Sequence, residues 1–217
     1  MSTDFVFSRL LDKQSEPIQL TAPVAVSELP TPALVLERSI LQRNIESMRD
    51  FLAAEGKGFR PHSKTHKCPV IAKLQMEAGA VGVCAAKLSE AVALINSGLT
   101  KILITSPIVS KSKLEILNKV LPLGSDHDIN IVIDSMIGLE GLLECVDTDK
   151  FIGVLVDLDI SMARTGLRSD EELLSLLEKI QKTDRIKFKG IQHYAGHLMH
   201  LDAVSYTHLT LPTSRSV

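Results

Sequence analysis

Hydrophobic residues occur along the chain in short runs that alternate with longer segments of helical spacing. Seven runs have the lengths and residue types of β-strands: residues 33–37, 58–64, 81–86, 101–106, 130–135, 151–159 and 188–195. Between the runs, apolar residues recur every three or four positions, as at Leu41, Ile45, Met48 and Leu52, which is typical of a helix with one apolar face. The pattern therefore predicts strands that alternate with helices from residue 33 onward.

The residues expected at helix ends agree with this pattern. Pro69 can open a helix as its first residue, and Gly79 and Gly98 stand where helices should stop. Alternating strands and helices predict βαβ units and a parallel sheet, and the continuously apolar runs indicate strands covered on both faces. Periodicity alone does not separate a closed barrel from an open, doubly wound sheet. Neither G-x-G-x-x-G nor G-x-x-x-x-G-K-[ST] occurs, so the common nucleotide sites of open sheets lack support.

Composition narrows the class of protein. The chain has 217 residues, 45% hydrophobic and 23% charged, as in a folded globular protein. With 24 Lys and Arg against 26 Asp and Glu, the net charge is -2, so we expect no nucleic-acid partner. Cys68, Cys84 and Cys145 form no C-x-x-C pair, which favours a reducing, cytoplasmic location. The chain shows no signal peptide and no apolar run near the roughly 20 residues that span a bilayer, so no membrane association is predicted.

The end of the chain does not continue the pattern. An α/β barrel typically needs roughly 250 residues, and the alternation stops after Tyr194. The stretch 205–217 has neither helical nor strand periodicity and resembles a sequencing adapter translated in frame. We therefore expect a reading frame truncated near Val204 with a tail at 205–217 that is not native; a genuine disordered C-terminus is the alternative.

Reactive residue types follow several predicted strands, at the edge where the active site of a parallel α/β barrel lies. The second run ends in Arg60-Pro-His-Ser-Lys64-Thr-His-Lys67. Cations at Arg60 and Lys67 should hold the pKa of Lys64 below its free value of about 10.4, and a neutral lysine is a nucleophile toward carbonyl groups. A solvated basic turn or an anion site is the alternative for this loop.

The motifs together resemble the D-threonine aldolase and D-serine dehydratase family, relatives of alanine racemase. The resemblance rests on the R-P-H-S-K-T-H-K string at 60–67, on Asp157-Leu-Asp-Ile-Ser-Met-Ala-Arg164-Thr-Gly166, and on Gly190-Ile-Gln-His-Tyr194-Ala-Gly-His197. It covers about residues 28 to 200. The resemblance implies an incomplete (β/α)8 TIM-type barrel at 28–204, like the N-terminal domain of alanine racemase, after an N-terminal extension at 1–27. The C-terminal β domain would be missing, and the run at 33–37 would join that domain.

The resemblance also implies a cofactor, pyridoxal 5'-phosphate, held as an imine on Lys64 rather than on Lys67. The Gly-rich phosphate-binding segment and the ligands of a divalent metal, zinc or manganese, would lie downstream of the present end, in the full-length parent only. We expect that parent to be a homodimer. The 217-residue chain itself should bind the cofactor poorly and be inactive.

Two further residues receive roles from the resemblance. Arg164 would bond the phenolic oxygen of the cofactor, and Tyr194 would contact its ring. A surface ion pair with Asp157 or Asp159 is the alternative for Arg164, and core packing is the alternative for Tyr194. His62 and His66 flank Lys64. Either could tune the protonation of Lys64 or relay protons near neutral pH, or they could fix the loop by hydrogen bonding.

Two other groups of residues have weaker functional interpretations. His193, His197 and His200 form H-x-x-x-H-x-x-H, but His193 lies in a β-type run and no Glu follows it, so we do not predict a zinc site. Cys84 lies within an apolar strand and is expected to be an inert core residue.

The resemblance implies a pyridoxal-phosphate-dependent lyase that acts on small D-3-hydroxy amino acids, by aldol cleavage or by dehydration. The sequence does not choose between these reactions. The alternatives are an amino-acid racemase, a protein that holds pyridoxal phosphate without turnover, and a metal hydrolase that uses the histidines near 193–200.

Overall fold

The computed structural model describes residues 24–29, 31–32, 34–121, 127–147 and 149–200. Most of the predicted extension at 1–27 and all of the predicted tail at 205–217 lie outside the described residues. No helix in the described part of the chain is long and apolar enough to cross a membrane.

The helices agree with the apolar spacing of the sequence. They are α1 (Arg38–Ala54), α2 (Pro69–Glu77), α3 (Leu88–Asn96), α4 (Lys111–Val120), α5 (Met136–Cys145) and α6 (Asp170–Gln181). Pro69 is the first residue of α2, where its missing N–H costs nothing. Gly79 and Gly98 follow α2 and α3 with φ of +105° and +87°, a conformation that favours glycine and ends a helix. The predicted helix signals are thus confirmed.

The strands form a parallel sheet, as predicted. They are β1 (Val83–Ala85), β2 (Lys101–Ile104), β3 (Asp128–Ile133), β4 (Ile152–Asp157) and β5 (Ile186–Gln192). Their order in the sheet, β1-β2-β3-β4-β5, is their order along the chain. Helices in the connections between successive parallel strands make this an α/β fold. Closure into a (β/α)8 barrel stays a prediction.

The chain divides into two compact units. The first contains the described residues up to Thr105 with residues 119–121 and 127–129, and the second contains 106–118 and 130–200. In the first unit β1 pairs with β2, in register from Val83 opposite Ile102. In the second unit β4 lies between β3 and β5, with Ile131 opposite Val154.

The strand cores are buried as the continuous apolar runs predict, with one exception. Val83, Ile102, Val154 and Val156 are fully buried. β5 differs, since Phe188 and Ile191 on it are about half exposed. Within the described residues β5 has β4 as its only strand neighbour, so part of its surface lacks the cover that the sequence pattern predicted.

The predicted strand at 33–37 is wrong for the residues that the structure describes. Residues 34–37 form no strand and lead directly into α1. Leu34, Val35 and Leu36 are exposed, Leu34 completely. An apolar run becomes a strand only when a neighbouring strand takes its backbone hydrogen bonds. None of the described residues pairs with this run.

The predicted strand at 58–64 is present only as an extended segment beside β1. His62 and Cys84 form an isolated parallel bridge. The Val81 N–H donates to the Phe59 carbonyl, and the Cys84 N–H donates to the Pro61 carbonyl, both at 2.8 Å. Pro61 has no N–H to continue a ladder, and the chain turns directly after His62. This turn starts the basic loop that the motif singled out.

Candidate active site

The basic loop, residues 60–67, is fixed to β1 at one point. The Ser63 N–H donates to the Cys84 carbonyl at 2.8 Å, and the Ser63 hydroxyl donates to the same oxygen at 2.9 Å. The Lys67 N–H then closes the turn on the Ser63 carbonyl at 2.7 Å. Ser63 is buried, whereas Lys64 between these anchors is exposed. The backbone of the loop is therefore held while the Lys64 amine reaches solvent.

His62 is held as one neutral tautomer by its two ring nitrogens. Its Nδ1 accepts the Lys64 N–H at 3.3 Å, so Nδ1 carries no proton. Its Nε2 must then carry the proton, and Nε2 lies 3.3 Å from Thr105 Oγ1. The Thr105 hydroxyl donates to the Ala85 carbonyl at 3.1 Å, so it accepts from His62. Thr105 thus links the ends of β1 and β2 to the backbone amide of Lys64.

Burial lowers the pKa of both histidines of the loop. Burial lowers the pKa of His62, the nearby Lys64 charge lowers it further, and Glu90 opposes both. Burial also lowers the pKa of His66, whose Nδ1 accepts the Cys68 N–H at 3.0 Å. Each ring therefore accepts the backbone N–H two residues farther along the chain. These bonds support the interpretation that the histidines fix the loop.

Arg60, at the start of the basic loop, lies near a carboxylate of the first unit. Its Nη2 is 4.0 Å from Asp128 Oδ2, where Asp128 begins β3. The guanidinium also lies against Gly82, where even one Cβ atom would collide with it. The Arg60 charge is therefore compensated at the amino end of the strands.

Lys64 and Lys67 are both exposed, so exposure alone does not choose the cofactor lysine. Lys67 has a φ of +48° and lines a cavity of about 300 Å³ with Lys87 and Glu90. Lys64 directly follows the segment paired with β1. Its assignment stays a prediction.

Cys84 is a core residue, in agreement with the sequence interpretation. It is buried in β1, and burial raises the pKa of its thiol although Arg60 and Lys64 act to lower it. A thiol kept protonated in this way is a poor nucleophile.

Arg164 and Tyr194 meet in the second unit. The Arg164 guanidinium lies over the Tyr194 ring, 4.3 Å from its centroid, in a cation–π contact. Neither alternative for these residues holds. The Asp159 carboxylate pairs with Arg168 instead of Arg164, and Tyr194 is 46% exposed rather than packed in the core.

Asp159 shapes the loop that carries Arg164. Its carboxylate accepts the N–H groups of Met162 and Ala163, at 2.9 and 3.0 Å, and pairs with Arg168 at 2.6 Å. Burial acts to raise the pKa of Asp159, but these bonds outweigh it and lower the pKa. Asp159 is thus an anionic anchor for the loop backbone.

Two of the three histidines of the H-x-x-x-H-x-x-H pattern have described side chains, His193 and His197. His193 lies just after β5, and His197 Nδ1 lies 3.2 Å from the Met162 sulfur. In the described part of the chain, no group of three or more His, Cys, Asp or Glu side chains could hold a metal ion.

The structure thus brings the predicted site residues into two clusters. Lys64, His62 and His66 share one loop of the first unit, and Arg164 and Tyr194 are in contact in the second. The hydrogen-bonding role of Thr105 was not predicted, although it directly follows β2, where strand-end residues gather.

Comparison with known proteins identifies the family. The model of the alanine racemase N-terminal domain matches residues 37–213. The 3-hydroxy-D-aspartate aldolase of Paracoccus denitrificans (strain Pd 1222) is 31% identical over 179 residues, 82% of this chain and 46% of that protein. The D-threonine aldolase of an Arthrobacter species is also 31% identical, over 85% of this chain and 48% of that protein. The chain spans about half the length of these curated relatives.

Solved structures agree with the sequence comparison. The D-threonine aldolase from Filomicrobium marinum superposes with a TM-score of 0.75 at 32% identity, over 84% of this chain and 50% of that one. The D-threo-3-hydroxyaspartate dehydratase from Delftia sp. HT23 has a TM-score of 0.68 at 26% identity, over 82% and 47%. The resemblance and the α/β fold inferred from the sequence are confirmed. The chain belongs to the alanine racemase N-terminal domain family, with D-threonine aldolase, 3-hydroxy-D-aspartate aldolase and D-serine dehydratase among its homologues.

Proposed function

We propose that the protein to which this chain belongs is a pyridoxal-phosphate-dependent lyase that acts on D-3-hydroxy amino acids. One observation carries the proposal most directly. Lys64 is presented to solvent from a loop whose backbone is fixed on both sides of it, by the Ser63 N–H on the Cys84 carbonyl and by the Lys67 N–H on the Ser63 carbonyl. Relatives named as aldolases and dehydratases of D-amino acids, at about 31% identity for the aldolases, support this substrate class.

The residues present fit the cofactor. An aldehyde cofactor needs a primary amine that no carboxylate holds, and Lys64 has no ion pair among the described residues. A phenolic oxyanion needs a permanent cation with free N–H groups. Arg164 likewise has no carboxylate partner in the described part of the chain, and stacking on Tyr194 leaves the edge of its guanidinium open.

The chain's own residues then have distinct tasks. Lys64 would hold the cofactor through Nζ, and pyridoxal phosphate would supply an electron sink for breaking a bond at Cα. Arg164 would hold the phenolic oxygen of the cofactor, and Tyr194, which stacks on the Arg164 guanidinium, would contact its ring. His62 uses both ring nitrogens in hydrogen bonds, so it positions the Lys64 backbone and is unavailable as a proton acceptor in this arrangement.

The whole protein is also proposed to be a cytoplasmic homodimer. A divalent metal, zinc or manganese, would need at least some ligands outside the described residues, since no group of three or more His, Cys, Asp or Glu side chains among them could hold one. No step of the proposed chemistry in this chain depends on the metal.

The test is an assay of the whole protein with D-threonine and with D-serine. Aldol cleavage yields glycine and acetaldehyde from D-threonine, and dehydration yields pyruvate and ammonia from D-serine. The L-enantiomers are the substrate controls. We expect one D-isomer to be consumed; no product from any D-amino acid would refute the lyase proposal. Interconversion of D- and L-alanine without cleavage would favour a racemase, and bound cofactor without any turnover a non-catalytic binder.

The lysine assignment needs its own comparison. Lys64→Ala should abolish turnover, whereas Lys67→Ala, a matched loss of one cation from the same loop, should retain it. Borohydride reduction followed by peptide mapping should find the cofactor on Lys64. Modification of Lys67 with Lys64 unmodified would show the assignment to be wrong.

A further inference from the structure

Asp157 is a buried carboxylate that the proposed chemistry does not use. It ends β4 and is only 2% exposed. Its Oδ2 accepts the Thr165 hydroxyl at 2.8 Å, and its Oδ1 accepts the Gln192 side-chain amide at 3.2 Å. No cation pairs with Asp157 among the described residues. A buried carboxyl group bonded by donors from two separate segments points to a specific structural task.

The two donors belong to the two segments that carry the cation–π pair. Thr165 is the residue after Arg164, and Gln192 ends β5 two residues before Tyr194. A backbone hydrogen bond also joins Asp157 to the segment that follows Arg164: the Leu167 N–H donates to the Asp157 carbonyl at 2.9 Å. One carboxylate is thus bonded to both segments, each within two residues of a member of the pair.

The segment that carries Arg164 needs such an anchor. Ser161 and Ala163 have φ of +86° and +51°, a region unfavourable for residues with a side chain. Asp159 bonds the backbone of this segment before Arg164, at Met162 and Ala163. Asp157 bonds the side that follows Arg164, through Thr165.

We infer that Asp157 is a positioning residue that holds the Arg164 guanidinium over the Tyr194 ring by joining Thr165 to Gln192. The proposed function gives this arrangement a use, because the edge of the Arg164 guanidinium would then face a cofactor oxygen; this use rests on the proposed function. The positioning itself is a property of this chain and is measurable without any cofactor.

The test uses tyrosine fluorescence of the 217-residue chain. The chain has two tyrosines and no tryptophan, so Tyr206→Phe leaves Tyr194 as the only tyrosine. In that background Asp157→Ala and Thr165→Val should raise the acrylamide quenching constant by up to about twofold, because the Tyr194 side chain is now 46% exposed and would lose its cover. Thr165→Ser keeps the hydroxyl and should restore the original constant.

Thr183→Val is the matched control for Thr165→Val. It removes the same hydroxyl group from another loop residue of the second unit, where that hydroxyl donates to the Lys179 carbonyl at 2.9 Å. It should lower the unfolding temperature without changing the quenching of Tyr194. A second readout is the NMR chemical shift of the Arg164 side-chain N–H. The ring current of Tyr194 should displace this shift in the unsubstituted chain and should not displace it in Thr165→Val.

Unchanged quenching and an unchanged Arg164 shift in Thr165→Val would overturn the inference, even if stability fell. The same holds for equal changes in Thr165→Val and Thr183→Val, since a general loosening would then explain both. Neither measurement involves cofactor or turnover. A whole protein without lyase activity would therefore refute the proposed function and leave this result standing.

Discussion

Replacing Thr105 with valine tests the hydrogen-bond chain that leads to Lys64. Valine has nearly the shape of threonine but no hydroxyl, so packing is kept while two bonds are lost. One is the bond to His62 Nε2 at 3.3 Å, and the other is the bond to the Ala85 carbonyl at 3.1 Å. His62 is then left with a partly buried N–H that has lost its acceptor.

The expected cost follows from that unsatisfied donor. Leaving a buried donor without its partner typically costs about 1–3 kcal/mol of the free energy of unfolding. For a chain of this size, 1 kcal/mol corresponds to about 2–4 °C, so Thr105→Val should lower the unfolding temperature by roughly 2–12 °C. Thr105→Ser retains the hydroxyl and should lose much less.

The assay that isolates the mechanism is the ring ¹⁵N NMR spectrum of His62. In the unsubstituted chain, Nε2 should show the chemical shift of a protonated nitrogen and Nδ1 that of an unprotonated one, because Nδ1 accepts the Lys64 N–H. Thr105→Val leaves the Lys64 bond in place, so the same tautomer should persist while the Nε2 shift moves, because its N–H has lost the Thr105 acceptor. A parent chain with the proton on Nδ1 would refute the reasoning, and so would a valine variant with an unchanged spectrum and an unchanged unfolding temperature.

Three other changes have definite expected outcomes. Burial lowers the pKa of His62 and of His66, so the unfolded chain binds protons at these histidines at a higher pH than the folded chain does. The free energy of unfolding should therefore be full above pH about 6.5 and fall as the pH drops below it. Replacing both histidines with glutamine should flatten the pH dependence of urea unfolding across this range. Cys84 should stay unmodified by iodoacetamide in the native chain, and rapid native labelling by mass spectrometry would contradict its burial. Gly166→Ala should destabilise the chain more than Gly56→Ala. The new Cβ at Gly166 would lie 2.6 Å from the Leu158 carbonyl carbon, whereas a Cβ at Gly56 would meet no atom within 4 Å. Equal unfolding midpoints of the two variants would contradict this expectation.

The sequence predicts the fold well wherever burial decides the structure. The helical stripe at Leu41, Ile45, Met48 and Leu52 lies within α1, and five of the seven β-type runs contain strands of the sheet. The strand prediction at 33–37 is wrong because apolar residues indicate a tendency to be buried but do not show which segment they pack against. A strand needs a neighbouring backbone, and no described residue supplies one there.

The site was less predictable than the fold, since its contacts depend on loop geometry. The motif identifies the loop at Lys64 and the segment at Arg164. It does not show that Asp159 bonds Arg168, because that choice follows from a backbone with positive φ at Ser161 and Ala163. Sequence separation would have favoured Arg164, which is closer to Asp159 along the chain than Arg168.

The pairing of charges gives the strongest physical reason to regard Lys64 and Arg164 as functional. Each segment also contains a cation with a carboxylate: Arg60 lies beside Asp128, and Arg168, two residues after the second motif, pairs with Asp159. Within the described residues Lys64 and Arg164 have none, and neither has Lys67 of the first motif. Charges with a purely structural task gain by pairing, whereas a lysine that binds an aldehyde and an arginine that binds an oxyanion must remain unpaired until the ligand arrives. Both segments therefore pair one supporting cation and leave the proposed cofactor-binding cation available; in the first motif Lys67 is left available as well, so charge pairing does not choose between the two lysines.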